Sequence, residues 1–157
     1  MSDVSGRIEV KVRYMEEAEA DEFAPAYATS HSAGMDLRAR VAPEGVDIPP
    51  GGRYGIPSGI SIEVCTPGVA GFIFSRSGLG AVKGLTVAQG VGVIDPDYRG
   101  EIIVFLLNTS DEPRRVERGD RIAQLVFLPV FTAEVLAAEA LTETARGAGG
   151  FGHTGGN

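Results

Sequence analysis

The most chemically loaded run in this chain is Gly90-Val91-Gly92-Val93-Ile94-Asp95-Pro96-Asp97-Tyr98-Arg99-Gly100-Glu101. A carboxylate sits between a glycine-rich bend and a Pro-Asp turn signal, with an aromatic ring and a cation close behind. As a hairpin, it would set Asp95 and Tyr98 at the mouth of a pocket lined by backbone amides. Asp95 could then accept a proton, and Tyr98 could pack against a ring. The same residues also fit an ordinary surface turn, so the local pattern alone does not decide between the two.

Other stretches carry compatible chemistry. In Ser75-Arg76-Ser77-Gly78-Leu79-Gly80-Ala81-Val82-Lys83-Gly84, Ser77 reads as an N-cap and Gly84 as the terminator of a helix of barely two turns. Its start would present amides, a hydroxyl and the Arg76 guanidinium to an anion such as phosphate. A capped connector with Arg76 in water is the competing reading, of equal standing. Asp36 and Arg38 share the polar face of the alternating run Ala33–Val41, as a modest surface ion pair or as a carboxylate held on a rigid strand. Gln124 lies inside an apolar run, where its amide must find a structural partner or a ligand. The end of the chain, Arg146-Gly147-Ala148-Gly149-Gly150-Phe151-Gly152-His153-Thr154-Gly155-Gly156-Asn157, cannot build a core. It reads as a mobile end, or as a lid offering amides, a guanidinium and a ring to stack.

The elements that would position these groups are strands. Arg7–Tyr14 alternates strictly, with Ile8, Val10, Val12 and Tyr14 on one face. Gly59–Val64 and Ala70–Ser75 are further strands, a short one lies within 43–57, and another begins at Arg114. Glu101–Leu107 and the run to Val130 read as buried strands. Residues 15–32 read as a loop with His31 in solvent, and Cys65 as a small structural residue. Thr132–Leu141 has helical propensity in a strand-rich setting, so helix and strand both stay open. The 22 glycines, about twice ordinary usage, suit short strands and tight turns.

Composition narrows the partners. One domain is expected from 157 residues. A net charge of −7 disfavours binding to nucleic acid or to an anionic membrane, while a few converging arginines still allow a small anion. A single cysteine precludes an intrachain disulfide, and residues 1–20 lack the apolar core of a signal peptide, so a cytoplasmic domain is expected.

Five stretches, Ala33–Ala39, Ser75–Gly80, Gly90–Glu101, Arg118–Leu125 and Arg146–Gly155, closely resemble in order and spacing the five motifs of the trimeric deoxyuridine triphosphatase (dUTPase) family. The resemblance implies an all-β, distorted jelly-roll barrel or sandwich with one short helix. Residues 1–145 would form the domain and 146–157 a flexible lid. It also implies a homotrimer with shared active sites, Mg²⁺ held mainly by triphosphate and water, and hydrolysis of dUTP to dUMP and pyrophosphate. That reaction clears dUTP from the nucleotide pool and supplies dUMP for thymidylate synthesis. Asp95 matches the general base and Asp36 a supporting carboxylate near it. Arg76, Ser77 and Gly78 match phosphate contacts, and Gln124 a further contact on that side. Gln89 and Val93 fall in the uracil-facing hairpin, Tyr98 matches the ring packed on deoxyribose, and Arg146 the γ-phosphate arginine. Phe151 matches the ring stacked on uracil, with Gly152, His153 and Thr154 beside the phosphates. Three positions depart from the usual pattern: Ser75 replaces a common proline, Gln89 a common asparagine and His153 a small hydroxyl residue.

Two other classes are compatible with parts of the pattern. A dCTP deaminase would need a glutamate on the strand after the hairpin, where Phe105 stands and Ile102–Leu107 carries no acid. A nucleotide-binding regulator would need neither a base nor a phosphate lid.

Overall fold

In the computed structural model, which describes residues 7–150, the alternating runs become twelve short strands. They are β1 (Val10–Tyr14), β2 (Ala26–Tyr27), β3 (Met35–Arg38), β4 (Val46–Ile48), β5 (Arg53–Pro57), β6 (Ile60–Val64), β7 (Val69–Phe74), β8 (Leu85–Val87), β9 (Gly92–Ile94), β10 (Ile103–Asn108), β11 (Arg114–Val116) and β12 (Arg121–Pro129). All pairings among them are antiparallel. The largest sheet has the order β2-β3-β12-β7-β9, and β5-β10-β8 forms a second. Two ribbons, β1-β6 and β11-β4, complete the wrap. This is the expected all-β jelly-roll architecture, built from open sheets; among the described residues none closes into a barrel.

One core fills the space between the sheets. Leu37, Ile56, Ile60, Leu85, Ile102, Leu106, Ile122 and Leu125 are fully buried within it. Each such side chain contributes roughly 1.5–3 kcal/mol through removal from water. Asn108, a polar side chain buried as deeply, is fully bonded. Its amide donates to the Ile48 and Glu112 carbonyls at 2.8 Å, and its oxygen accepts from the Ser110 amide and hydroxyl. Satisfied in this way, it fixes the turn after β10 rather than destabilising the core.

Four expectations need correction. Residues 15–32 are not only loop: a 3₁₀ turn at Glu17–Glu19 leads into α1 (Ala20–Phe23), which buries Phe23. β10 is half-buried, because Val104, Leu106 and Asn108 point inward while Ile103 and Phe105 face out. Thr132–Leu141 is neither helix nor strand, and its large side chains, Val135, Leu136 and Leu141, lie in solvent. With nothing to bury an apolar face, helix propensity alone does not hold a segment of that length. At the supposed two-turn helix the chain makes one wide π-type turn over Gly78–Val82. Ser77 occupies the cap position with helical backbone angles and no capping hydrogen bond. Gly84 does end the turn, in the left-handed region at φ +69 that glycine tolerates.

A charge latch fastens α1 to the body. Glu19 accepts from Arg40 at 2.6 Å and from Arg118 at 2.5 Å, and Arg118 lies over the Phe23 ring at 4.8 Å. Hydrogen bonds from Arg40 and Arg118 hold the Glu19 carboxyl below its ordinary value of 4.5. A depressed carboxyl contributes stability that is fully present above its unfolded value and lost as pH falls through its folded one. The latch should therefore act at neutral pH and vanish in acid. Thermal melts should show Glu19→Gln less stable than the parent at about pH 7, with the two converging as the pH is lowered through the acid range. A constant gap across that range would remove the latch.

Candidate active site

The sheet register decides which candidate residues meet. Asp36, Gln124 and Phe74 form one row across β3, β12 and β7. Asp36 is buried at 6% exposure, yet its partner is not Arg38, which instead donates to the Gly119 carbonyl. Both Asp36 oxygens are claimed by arginines, Arg76 Nε at 2.8 Å and Arg121 Nη1 at 3.1 Å. Arg76 also donates to the Arg121 carbonyl at 3.2 Å. A charged pair bonded this way holds a planar guanidinium in a fixed direction, the geometry suited to phosphate oxygens. Ser77 and Gly78, at the start of the neighbouring turn, are exposed, with open space above Gly78. Gln124 is half-buried, so its amide reaches solvent without a buried partner.

The residues of the expected hairpin gather elsewhere, and they form no hairpin: β9 pairs with β7 and with neither β8 nor β10. A pocket of about 220 Å³ is lined by Gln89, Val93, Asp95, Tyr98 and Glu101 over an apolar floor that includes Ile73, Val87 and Val104. β9 is the last strand of its sheet, so its outer backbone groups have no strand partner. Free strand-edge amides and carbonyls are ready to pair with a flat polar ligand. The turn that follows is well defined: the Tyr98 amide donates to the Asp95 carbonyl at 3.0 Å, with Pro96 at the preferred second position. Arg99 clamps it by donating to the Pro96 and Tyr98 carbonyls. Asp95 itself is exposed, with its carboxylate free of ion pairs among the described residues.

These two clusters do not meet within one chain. Register places Asp95 beside Ala70, since Ile94 faces Gly71. Arg76 lies six residues further along, about 20 Å at ~3.3 Å per residue. Asp36 stands three strands across and four residues along, roughly 19 Å from Asp95. Asp36 and Asp95 therefore stand apart within a single chain. Arg146 lines neither site; it is exposed and donates to the Gly149 carbonyl of its own loop at 3.0 Å. Phe151, Gly152, His153 and Thr154 lie outside the described residues.

Sequence reasoning passed over three contributors. Arg121 heads β12 and holds Asp36; its signal was a cation at the start of an apolar strand. Ser75 accepts the Val87 amide at 2.8 Å, tying the anion-side turn to the floor of the pocket beside β9. Gly100, which lies against the Tyr98 ring, gave no local signal beyond being glycine. Among the described residues no three His, Cys, Asp or Glu side chains surround a common point. No helix among the described residues is long and apolar enough to cross a membrane.

An all-β scaffold with an edge-strand pocket under a free carboxylate, and an arginine pair fixed on another strand row, defines a protein built for a small anionic ligand. Comparison with known proteins gives the particular family. The dUTPase family model matches residues 21–155. The deoxyuridine 5'-triphosphate nucleotidohydrolase of Desulfitobacterium hafniense is 51% identical over 148 residues, covering 94% of this chain and 97% of that protein. The chain belongs to the dUTPase family. Solved structures agree on the fold. The Staphylococcus bacteriophage 80alpha dUTPase with dUPNHPP superposes with a TM-score of 0.80 at 24% identity, covering 94% of this chain and 98% of that one. The dUTPase of S. aureus phage phi11, whose D95N mutant coordinates a structural Mg(II) ion, gives 0.72 at 22% identity, covering 86% and 99%.

Proposed function

We propose that this chain hydrolyses dUTP to dUMP and pyrophosphate, with Asp95 as the general base. The observation that carries the reading is the placement of a free carboxylate and a tyrosine ring on the rim of an apolar pocket, along an unpaired strand edge. Uracil would enter between β8 and β9, its polar edge pairing with backbone groups of 90–93. Tyr98 would face the deoxyribose, where a 2′-hydroxyl collides with the ring. Asp95 would then stand beside the α-phosphorus. It takes a proton from water as the water oxygen bonds to that phosphorus. The bond to the bridging oxygen breaks, and pyrophosphate leaves. Positioning and fixed positive charge supply most of such a barrier reduction.

Arg76, aimed by Asp36, would meet the phosphates together with Ser77 and Gly78, and Gln124 would lie on the same side. Arg146 and residues 151–154 would close over the substrate as a lid. Since Asp95 and Arg76 stand about 20 Å apart in one chain, the reading requires sites shared between subunits, and a homotrimer satisfies it. Mg²⁺ favours phosphate oxygens and water over an all-protein cage, so the donor set fits an ion carried by the triphosphate; when bound it neutralises phosphate charge. A cytoplasmic setting agrees with Cys65 as the only cysteine.

The test is to incubate the protein with Mg²⁺ and each of dUTP, dTTP, dCTP and UTP, following pyrophosphate and ammonia separately. Pyrophosphate release with clear preference for dUTP is expected. Ammonia from dCTP, or binding without turnover, would defeat the proposal.

A further inference from the structure

Tyr98 does not stand alone on the rim; it lies against its own turn. A Cβ built on Gly100 would sit 2.3 Å from the Tyr98 hydroxyl oxygen and 2.5 Å from Cζ, with Cε2 at 3.0 Å. Real Cβ atoms essentially never come that close to a neighbour. The Tyr98 hydroxyl in turn donates to the Glu101 carbonyl at 3.0 Å. The Glu101 carboxylate is anchored too, accepting the Gly59 amide at 2.8 Å. Gly59 itself is fixed, with φ +77 and no room for a side chain between Arg40 and Phe23. The ring is thus laid flat over a bare Cα and pinned at its far end by a carbonyl that the body of the protein holds.

We propose that Gly100 and the Glu101 carbonyl form the seat that sets sugar selectivity, acting as positioning residues through Tyr98. The proposal rests on the reading that Tyr98 faces the sugar. A steric filter discriminates only if its wall is held in place, since a ring free to swing would yield to one additional hydroxyl. Gly100 does not have positive φ, so alanine fits its backbone without strain. The residue that must yield is Tyr98, which is 45% exposed and so has solvent on its outer side to move into once its seat is filled. Gly100→Ala should therefore leave the fold intact and displace only the ring.

The experiment compares kcat/KM for dUTP and UTP in the parent, Gly100→Ala, Tyr98→Ala and the double variant, with melting temperatures alongside. Gly100→Ala should lower the dUTP:UTP ratio by about tenfold or more, the scale of a single steric contact in a pocket, mainly by improving UTP. In the Tyr98→Ala background the same change should add nothing to the ratio, because its only agent is gone. Tyr98→Phe, which keeps the ring and loses the bond to Glu101, should lower the ratio by a smaller factor. It carries the test alone if Gly100→Ala does not fold. A parental ratio in Gly100→Ala, where Tyr98→Ala has lost it, overturns the seat and leaves the proposed function standing. A Tyr98→Ala variant as selective as the parent sinks the seat together with the role of Tyr98.

Discussion

Asp95→Asn should bind dUTP about as well as the parent and turn it over roughly 10²–10⁴ times more slowly, the usual contribution of a general base. The expectation follows from its surroundings. Asp95 is exposed and unpaired, on a turn closed by the Tyr98 amide and clamped by Arg99, so the substitution removes a proton acceptor without breaking a structural bond. Asparagine keeps the shape and the backbone hydrogen bond. Single-turnover rates and equilibrium binding of a non-hydrolysable dUTP analogue would separate chemistry from affinity. Turnover within a few-fold of the parent, with deamidation of the asparagine ruled out by mass, would end the base assignment. A large loss of affinity would assign Asp95 to binding.

Much of this arrangement was legible because β structure writes itself in alternation. Val10, Val12 and Tyr14 face inward on β1 as the pattern of the run requires, and the glycine at 84 closes a turn where one was expected. The pairing was not legible. β12 lies between β3 and β7, joining residues some fifty to ninety positions apart in the chain. A polar residue's partner then depends on a register that no local pattern records. Asp36 illustrates the difficulty. Two residues from Arg38 on an alternating strand, it suggested a local pair. Instead it is buried and answers to Arg76 and Arg121, each from a distant stretch. Phe23 failed for a related reason, since one aromatic in an acidic segment carries no periodicity. Its burial comes from Arg118 and Gly59, which only the folded chain brings to it. The Thr132–Leu141 segment stayed ambiguous because nothing within the chain covers its apolar side chains.

The separation of Asp95 from Arg76 leads to the sharpest test of the assembly. About 20 Å lies between them along β7, more than an arginine side chain spans, while a base at the α-phosphorus and an arginine on the same triphosphate must nearly touch one substrate. On the proposed reading, two subunits then supply them. Asp95→Asn chains keep the arginine and lack the base; Arg76→Ala chains keep the base and lack the arginine. Each variant alone should assemble and be nearly inactive. Unfolded together and refolded, they should form mixed trimers in which a site is intact only where a base-bearing chain precedes an arginine-bearing one around the ring. Whichever chain is doubled, a cyclic trimer contains one such junction. Purified mixed trimers should thus regain about a third of the parental turnover per trimer. If base and arginine came from the same chain, no mixing could restore a site. Mixed trimers verified by differential tagging and still as inactive as either parent would therefore refute the shared site. Recovery near one third would establish the sharing.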